Sequence, residues 1–390
     1  MKKILISGII ISILAGCSKD NQAFNTSVCN FPPGINTSYS KKDTVEKLLQ
    51  RYANLGVPGV VMAVYSPEGY WGTSKGFSKI ETKSPMELCQ LQYLQSASKT
   101  YMAVSILKLY EEGKIDLDAP ITTYLPEKYR KYIDKAASIK VRNLLNHTSG
   151  VPEYTDVPEY ITYLLQHPFH SFTSEEFLGY IKDKKLQFTP GSKFVYTNTN
   201  FHLLALIADA VADNHATLIQ QKILTPLGLT NTFYRNDPGY LHYPTLVNSY
   251  LDRYSNGVVE NVSNMQQVSV ACSKGDDGIV ATPLDAINFL RGLMEGKLLK
   301  NSTMQQMMTW VNDEDGQPVY GLGIYNVRYS GQTGYGHGGA GIGAGCGIYY
   351  FPGKSLYVFV GTNIGTLIDG PIVKKVEELK RKLLDVILKD

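Results

Sequence analysis

The sequence predicts an α/β (α+β) fold: an antiparallel sheet flanked by helices and built from both ends of the chain, with an inserted helical lobe. Three observations predict it. Helix and strand patterns open the folded part. Strand and helix patterns close it. The stretch between them mixes helical segments with Pro-rich loops. A length of 390 residues is enough for two to three domains, and 43% hydrophobic residues against 19% charged excludes a disordered chain. Lys and Arg number 38 against 35 Asp and Glu, a net charge of +3, with no footprint for a nucleic-acid partner. No repeat of solenoid or propeller length is present.

The elements follow in chain order. Lys2 and Lys3 precede an apolar run, Ile4 to Ala15, too short to span a bilayer comfortably. A charged start, short apolar core and small residues read as a secretory signal over residues 1–16. Leu14-Ala15-Gly16-Cys17 resembles the lipobox of bacterial lipoproteins, which implies that Cys17 is lipidated. Residues 17–42 are a polar tether, and 43–390 the folded domain. Within it, 43–95 and 271–390 are expected to form the sheet lobe and 96–270 the helical lobe. Asp43-Thr44-Val45-Glu46 predicts a capping box, and Val45, Leu48, Leu49, Tyr52 and Leu55 a helix stopped by Gly56. Gly59–Tyr65 and Tyr70–Phe77 predict a hairpin around Pro67-Glu68-Gly69. A helix starts near Ser96 and stops at Gly113, and Phe201–Ala212 is another. Tyr320–Val327, Cys346–Phe351 and Leu356–Gly361 predict strands, and Pro371 opens a last amphipathic helix. Cys29, Cys89, Cys272 and Cys346 allow three pairings in an oxidising compartment. Buried small hydrophobes are the first reading of these cysteines, and Cys29–Cys89 with Cys272–Cys346 is the pairing expected if they bridge.

Several catalytic patterns compete. Gly72-Thr73-Ser74-Lys75-Gly76 matches a nucleophile elbow but lies in a hairpin strand with no helix after it. Gly336-His337-Gly338-Gly339-Ala340-Gly341 matches a dinucleotide glycine pattern, but a strand follows instead of a helix. His167 and His170 lack the companions of a zinc site, and no metal or cofactor is implied. Ser-x-x-Lys occurs at Ser38–Lys41, Ser96–Lys99 and Ser105–Lys108. A lysine three residues after a serine shares its helical face and becomes its base if burial lowers its pKa. Ser38 lies in the tether and Ser105 deep in a helix. Ser96 lies where a helix begins, and unpaired backbone N–H groups there can meet an oxyanion. Tyr-x-Asn also occurs three times. Tyr52 belongs to a helix core, and Tyr254 to an Asn-Gly turn. Tyr196-Thr197-Asn198 is a loop anchored by the helix from Phe201.

Together, Ser96-Ala97-Ser98-Lys99, Tyr196-Thr197-Asn198 and His337-Gly338-Gly339 resemble, in order, the three motifs of serine β-lactamase-like hydrolases. These are the class C β-lactamase, D-alanyl-D-alanine carboxypeptidase and esterase group of penicillin-recognising enzymes. The intervals between motifs are 100 and 141 residues. Leu144-Leu145-Asn146-His147-Thr148-Ser149-Gly150, Pro190-Gly191-Ser192 through Asn200-Phe201 and Pro226-Leu227-Gly228-Leu229 resemble the family's connecting text, so the likeness covers about residues 43–365. It implies a β-lactamase/transpeptidase-like fold and acyl transfer to Ser96 followed by hydrolysis. Lys99 would polarise Ser96. Tyr196 would exchange protons, provided its phenol is shifted well below 10. Asn198 would hold the substrate amide and Lys99. The N–H groups of Ser96 and Ala340 would form the oxyanion hole.

Three departures stand out. His337-Gly338-Gly339 replaces Lys-Thr-Gly, so the site offers a mostly neutral imidazole where β-lactamases carry a cation. Gly275-Asp276-Asp277-Gly278 adds two carboxylates near the cleft. Asn146 precedes His147, which reads as a structural loop residue away from the three motifs. The expected substrate is a D-Ala or other D-amino-acid peptide, or an ester. The alternatives are a β-lactamase and a slowly acylating sensor or scaffold. The expected location is the bacterial cell envelope, lipid-anchored, with the outer membrane implied by Ser18. The membrane, through that anchor, and a small-molecule or peptide substrate are the partners expected; nucleic acid is not.

Overall fold

In a computed structural model, residues 36–389 are described. Cys17, Cys29, the signal segment and most of the tether lie outside them.

The helix α1 (Lys42–Asn54) leads into the hairpin β1 (Gly59–Ser66) and β2 (Gly69–Lys79), with a short β3 (Ser84–Pro85) beside β2. The expected capping box does not form. The helix begins one residue before Asp43, which puts that acid in the first turn, where it meets the helix dipole. The chain then leaves the sheet for the helical lobe, whose two long helices are α2 (Ser98–Glu111) and α3 (Asn198–Ala212). It returns through α4 (Pro283–Met294) to six strands and a last helix. These are β4 (Val311–Asn312), β5 (Pro318–Tyr320), β6 (Tyr325–Tyr329), β7 (Gln332–Ala340), β8 (Gly345–Phe351), β9 (Leu356–Thr362) and α5 (Pro371–Leu388).

All nine strands join one antiparallel sheet in the order β3-β2-β1-β9-β8-β7-β6-β5-β4. The first and last parts of the chain meet at its centre, where Val60 pairs with Thr362 and Tyr65 with Tyr357. Alternation along β1 sends Val60, Met62 and Val64 to one face and Val61 and Ala63 to the other. The first face packs on α1 and α5 through Val45, Leu49, Leu379 and Leu383. The second packs on the helical lobe and α4, where Tyr101 of α2 stacks on Phe289 of α4.

Two details shape the cleft. The expected strand Tyr320–Val327 is broken at Gly321-Leu322-Gly323. Gly323 has φ +80, and a Cβ there would stand 2.2 Å from Ala103 of α2. Only glycine lets this turn press against the helix that carries Lys99. The glycine-rich β7, missed by periodicity, is a nine-residue strand. Its pairing with β6 ends at Tyr325 opposite Gly336, while β8 stays paired as far as Ala340. The end of β7 therefore shows a free backbone edge.

Candidate active site

Ser96 sits in a single 3₁₀ turn, Gln95–Ala97, at the entrance to α2. Gln95, just before it, has φ +48, a left-handed conformation that strains a non-glycine residue by about 1–3 kcal/mol. The end of β7 presses on this turn. A Cβ at Gly339 would stand 2.3 Å from the Leu94 carbonyl oxygen and 2.9 Å from Gln95 Cβ.

One helical turn after Ser96, Lys99 is fully buried. Its Nζ donates to Ser96 Oγ at 3.0 Å, to Asn198 Oδ1 at 2.7 Å and to the Asp276 carbonyl at 2.8 Å. Burial lowers its pKa, and the charges of Asp276, Asp277 and Glu153 oppose that shift. Asn198 opens α3, and its N–H donates to the Glu153 carboxylate. The Tyr196 ring lies under Lys99 Nζ, 5.1 Å from it, and its hydroxyl is buried beside Ser96. Burial pushes that phenol well above 10, and the neighbouring Ser96 only partly offsets it. This corrects the expected downward shift. A phenol in a dry pocket resists ionisation.

His337 is held on both ring nitrogens. Its Nδ1 lies 2.6 Å from the Gly338 carbonyl, which can only accept, so Nδ1 carries the proton. Nε2 then accepts from the Tyr320 hydroxyl at 2.8 Å. Burial pushes its pKa down to about 3, so it stays neutral between pH 5 and 8 and offers no charge that titrates there. A side chain at 338 would point the other way, with its Cβ 3.2 Å from the Tyr349 hydroxyl and 3.9 Å from Lys380 Nζ.

Ser96, Tyr196, His337, Gly338, Gly339 and Ala340 line one cleft of about 300 Å³, within the size range of small-ligand sites. Lys380 and Glu377 of α5 line it too. Neither was singled out in the sequence. On the amphipathic pattern of α5 they read as two more residues of a solvated face, and only the folded sheet brings them beside Gly338.

His147 is structural as expected, but it is not away from the motifs. It has φ +58, and its ring lies 4.4 Å from that of Tyr196. Its Nδ1 accepts from the Thr197 N–H at 3.3 Å and lies 3.2 Å from Asn200 Nδ2. Asn146 also gains a reason, since its Oδ1 accepts from Thr148 Oγ1 at 2.7 Å and closes the same loop. The rival motifs are dispersed. Ser74 lies on β2, and Ser105 Oγ donates to the Tyr101 carbonyl inside α2. Lys41, partner of Ser38, donates to the Lys389 carbonyl, and Tyr254 is 70% exposed. Among the described residues no group of three or more His, Cys, Asp or Glu side chains converges as a metal cage. Cys272 and Cys346 are both free, so the expected bridge between them is absent. Cys346 Sγ instead donates to the Leu94 carbonyl at 3.1 Å. Cys89 is disulfide-bonded, and Cys29 lies outside the described residues.

Known proteins resemble this chain in sequence and in fold. PbpX of Bacillus subtilis (strain 168), named as a penicillin-binding protein, is 26% identical over 287 residues, 73% of this chain and 66% of PbpX. The D-aminopeptidase of Gluconobacter oxydans (strain 621H) is 25% identical over 269 residues, 68% of this chain and 48% of that enzyme. The chain thus spans less than two thirds of either relative. Among solved structures, a D-stereospecific amidohydrolase from Streptomyces sp. superposes with TM-score 0.74 at 26% identity, covering 86% of this chain and 97% of that one. A D-amino acid amidase from Ochrobactrum anthropi SV3 has TM-score 0.75 at 24% identity over 89% and 98% of the two chains, and shows the same fold. The fold is the β-lactamase/transpeptidase-like one that the motifs implied. The family model described as Beta-lactamase matches residues 43–375, and this chain belongs to the Beta-lactamase family.

Proposed function

We propose that this protein is a serine hydrolase of the bacterial cell envelope that forms an acyl-enzyme at Ser96, with D-amino-acid peptides, amides or related esters as substrates. One observation carries the reading: Lys99 Nζ joins Ser96 Oγ and Asn198 Oδ1 over the Tyr196 ring, at the wall of an open cleft. In the forward step Lys99, as a neutral amine, takes the Ser96 proton while Oγ attacks the carbonyl. The bond to the leaving group breaks as the Ser96 ester forms. The Tyr196 phenol gives a proton to a departing amine and is reprotonated with the one Lys99 took from Ser96, so no phenolate persists in the dry pocket. The N–H groups of Ser96 and Ala340 receive the oxyanion, and a water then hydrolyses the ester.

The substrate class is supported by the relatives named for D-amino-acid chemistry and by the lack of Lys-Thr-Gly at 337–339. A second reading, hydrolysis of β-lactams, is favoured by Lys380. It lines the same cleft as Ser96 and supplies an ammonium for the carboxylate such compounds carry.

The test is intact-mass detection of the acyl-enzyme over time with a penicillin, a D-Ala-D-Ala peptide, a D-amino-acid amide and an aryl ester. Turnover of the D-amino-acid substrates without lasting acylation is the expected result. Rapid penicillin turnover above them would promote the second reading, and persistent acylation by all four would favour a sensor. Ser96→Ala should abolish fluorophosphonate labelling, while Ser105→Ala should label normally. Lipid anchoring at Cys17 is the other half of the proposal. Cys17→Ser should move the protein from the membrane fraction to the soluble one.

A further inference from the structure

A lysine ammonium has three protons to donate, and Lys99 uses all three: on Ser96, Asn198 and the Asp276 carbonyl. In that state Ser96 Oγ accepts a hydrogen bond and keeps its own proton. To serve as a base, Nζ must lose one proton and turn a lone pair to Ser96. What decides this is the charge standing behind Nζ.

Behind it stand two consecutive carboxylates, Asp276 and Asp277, on a turn bounded by Gly275 (φ +75) and Gly278 (φ +115). Asp276 is 5% exposed. Its Oδ2 accepts from the Tyr154 hydroxyl at 3.3 Å, and its Oδ1 is buried with no partner. Asp277 Oδ1 accepts the Gly278 N–H at 2.6 Å. The turn cannot swing away. The Gly275 N–H donates to the Tyr234 hydroxyl at 3.1 Å, and a Cβ at Gly278 would stand 2.4 Å from the Tyr234 ring. Tyr234 is held in turn by His215 Nε2 at 3.0 Å, and His215 Nδ1 lies 2.6 Å from Asp209.

We propose that the Asp276–Asp277 pair is a positioning device that sets the proton on Lys99. While the pair is ionised, Lys99 remains an ammonium donating to Ser96. When the pair takes up a proton, the ammonium loses its counter-charge, so Lys99 releases its own proton to water at a lower pH and is then the free base. This rests on the reading of Ser96 as nucleophile and Lys99 as its base.

The environment supports a change of charge near neutrality. Burial raises Asp276 to about 6, with Lys99 opposing and Glu153 adding. Burial and then the charge of Asp276 raise Asp277 to about 7. The cations facing the pair are Lys99 from α2 and Arg235 from the segment after Tyr234. Glu153 is a third carboxylate against Asp276. Tyr154, Tyr160, Tyr196 and Tyr234 also face Asp276, and Tyr93, Tyr240 and Cys346 face Asp277. Burial pushes all of these up, so they stay neutral.

The experiment is the pH profile of kcat/KM for a p-nitrophenyl ester, measured on the whole protein. Removing a negative charge beside Lys99 lowers its pKa, so in Asp276→Asn the rising limb should move to lower pH by about one unit or more, the usual effect of a neighbouring charge. Tyr154→Phe leaves the turn intact and removes the side-chain hydrogen bond that favours ionised Asp276. It should move the limb the same way by less, and it carries the test if Asp276→Asn fails to fold. A limb that stays in place in these variants, while Ser96 still labels with fluorophosphonate, overturns the inference alone. Labelling that survives Ser96→Ala overturns the nucleophile and the inference with it.

Discussion

Lys99 and Tyr196 share one dry pocket, and burial pushes their pKa values in opposite directions. Desolvation disfavours whichever form is charged, so the lysine moves toward the amine and the tyrosine stays a phenol. Tyr196→Phe should therefore cost at least about 10²-fold in turnover of an amide, whose amine must be protonated as it leaves. It should cost less with an aryl ester, whose phenolate leaves unaided. Equal losses on both substrates would show that Tyr196 acts on Ser96 and not on the leaving group. Lys380 lends itself to a sharper test. Lys380→Ala should raise KM for substrates bearing a carboxylate beside the scissile bond and leave neutral esters unchanged, which steady-state kinetics on matched pairs would read. At this scale the sequence was informative about identity and uninformative about charge. Ser96, Lys99, Tyr196 and Asn198 could be named from their spacing on a helix start and an anchored loop. The persistence of neutral His337 well below pH 6.5 could not, because it depends on its burial beside the Tyr320 hydroxyl and the Gly338 carbonyl.

Elements with a clear apolar pattern were legible, and those built for close approach were not. The strands β1, β8 and β9 and the helices α2 and α3 carry apolar runs bounded by turn residues, because burial covers them nearly all round, and β2 carries a partial alternation. The strand β7 carries neither, because glycines stand where side chains would collide. It passes so near the Ser96 turn that Gly339 has no room for a methyl group, and the free edge of the strand ends there. Gly339→Ala should destabilise the fold by about 1–3 kcal/mol, the usual range for overpacking a filled core. It should also slow acylation of Ser96, since the only relief is to push β7 away from the turn. Gly179→Ala is the control: nothing lies within 4 Å of its added Cβ. Thermal melts and fluorophosphonate labelling rates on the two variants would separate a crowded site from a general cost of replacing glycine.

For the molecule as a whole, the joining of both chain ends in one sheet was legible in the order of patterns along the sequence. Its electrostatic balance was not, because that depends on which polar groups the fold encloses. Four histidines are buried, His147, His202, His215 and His337, and three of them resist protonation. Burial holds His202 and His337 at about 3 and His147 well below 6.5. Below pH 6.5 the unfolded chain binds protons that these native imidazoles refuse, so stability falls as pH falls from 6.5 toward 3. Each histidine contributes about 1.4 kcal/mol per pH unit in that window. Asp276 and Asp277 act in the opposite sense, because their raised values make the native state the better proton acceptor between about pH 4 and 7. His202 separates the two effects. It lies on α3 with both ring nitrogens buried and unpartnered, its ring 5.4 Å from that of Phe177. No hydrogen bond is lost if it is replaced by an apolar side chain of similar size. His202→Leu should therefore raise the melting temperature at pH 8 and raise it further at pH 5, where the wild-type imidazole bears its full proton penalty. A melting temperature that drops by the same amount at both pH values would show that His202 packs better than leucine and that its burial has no part in acid sensitivity.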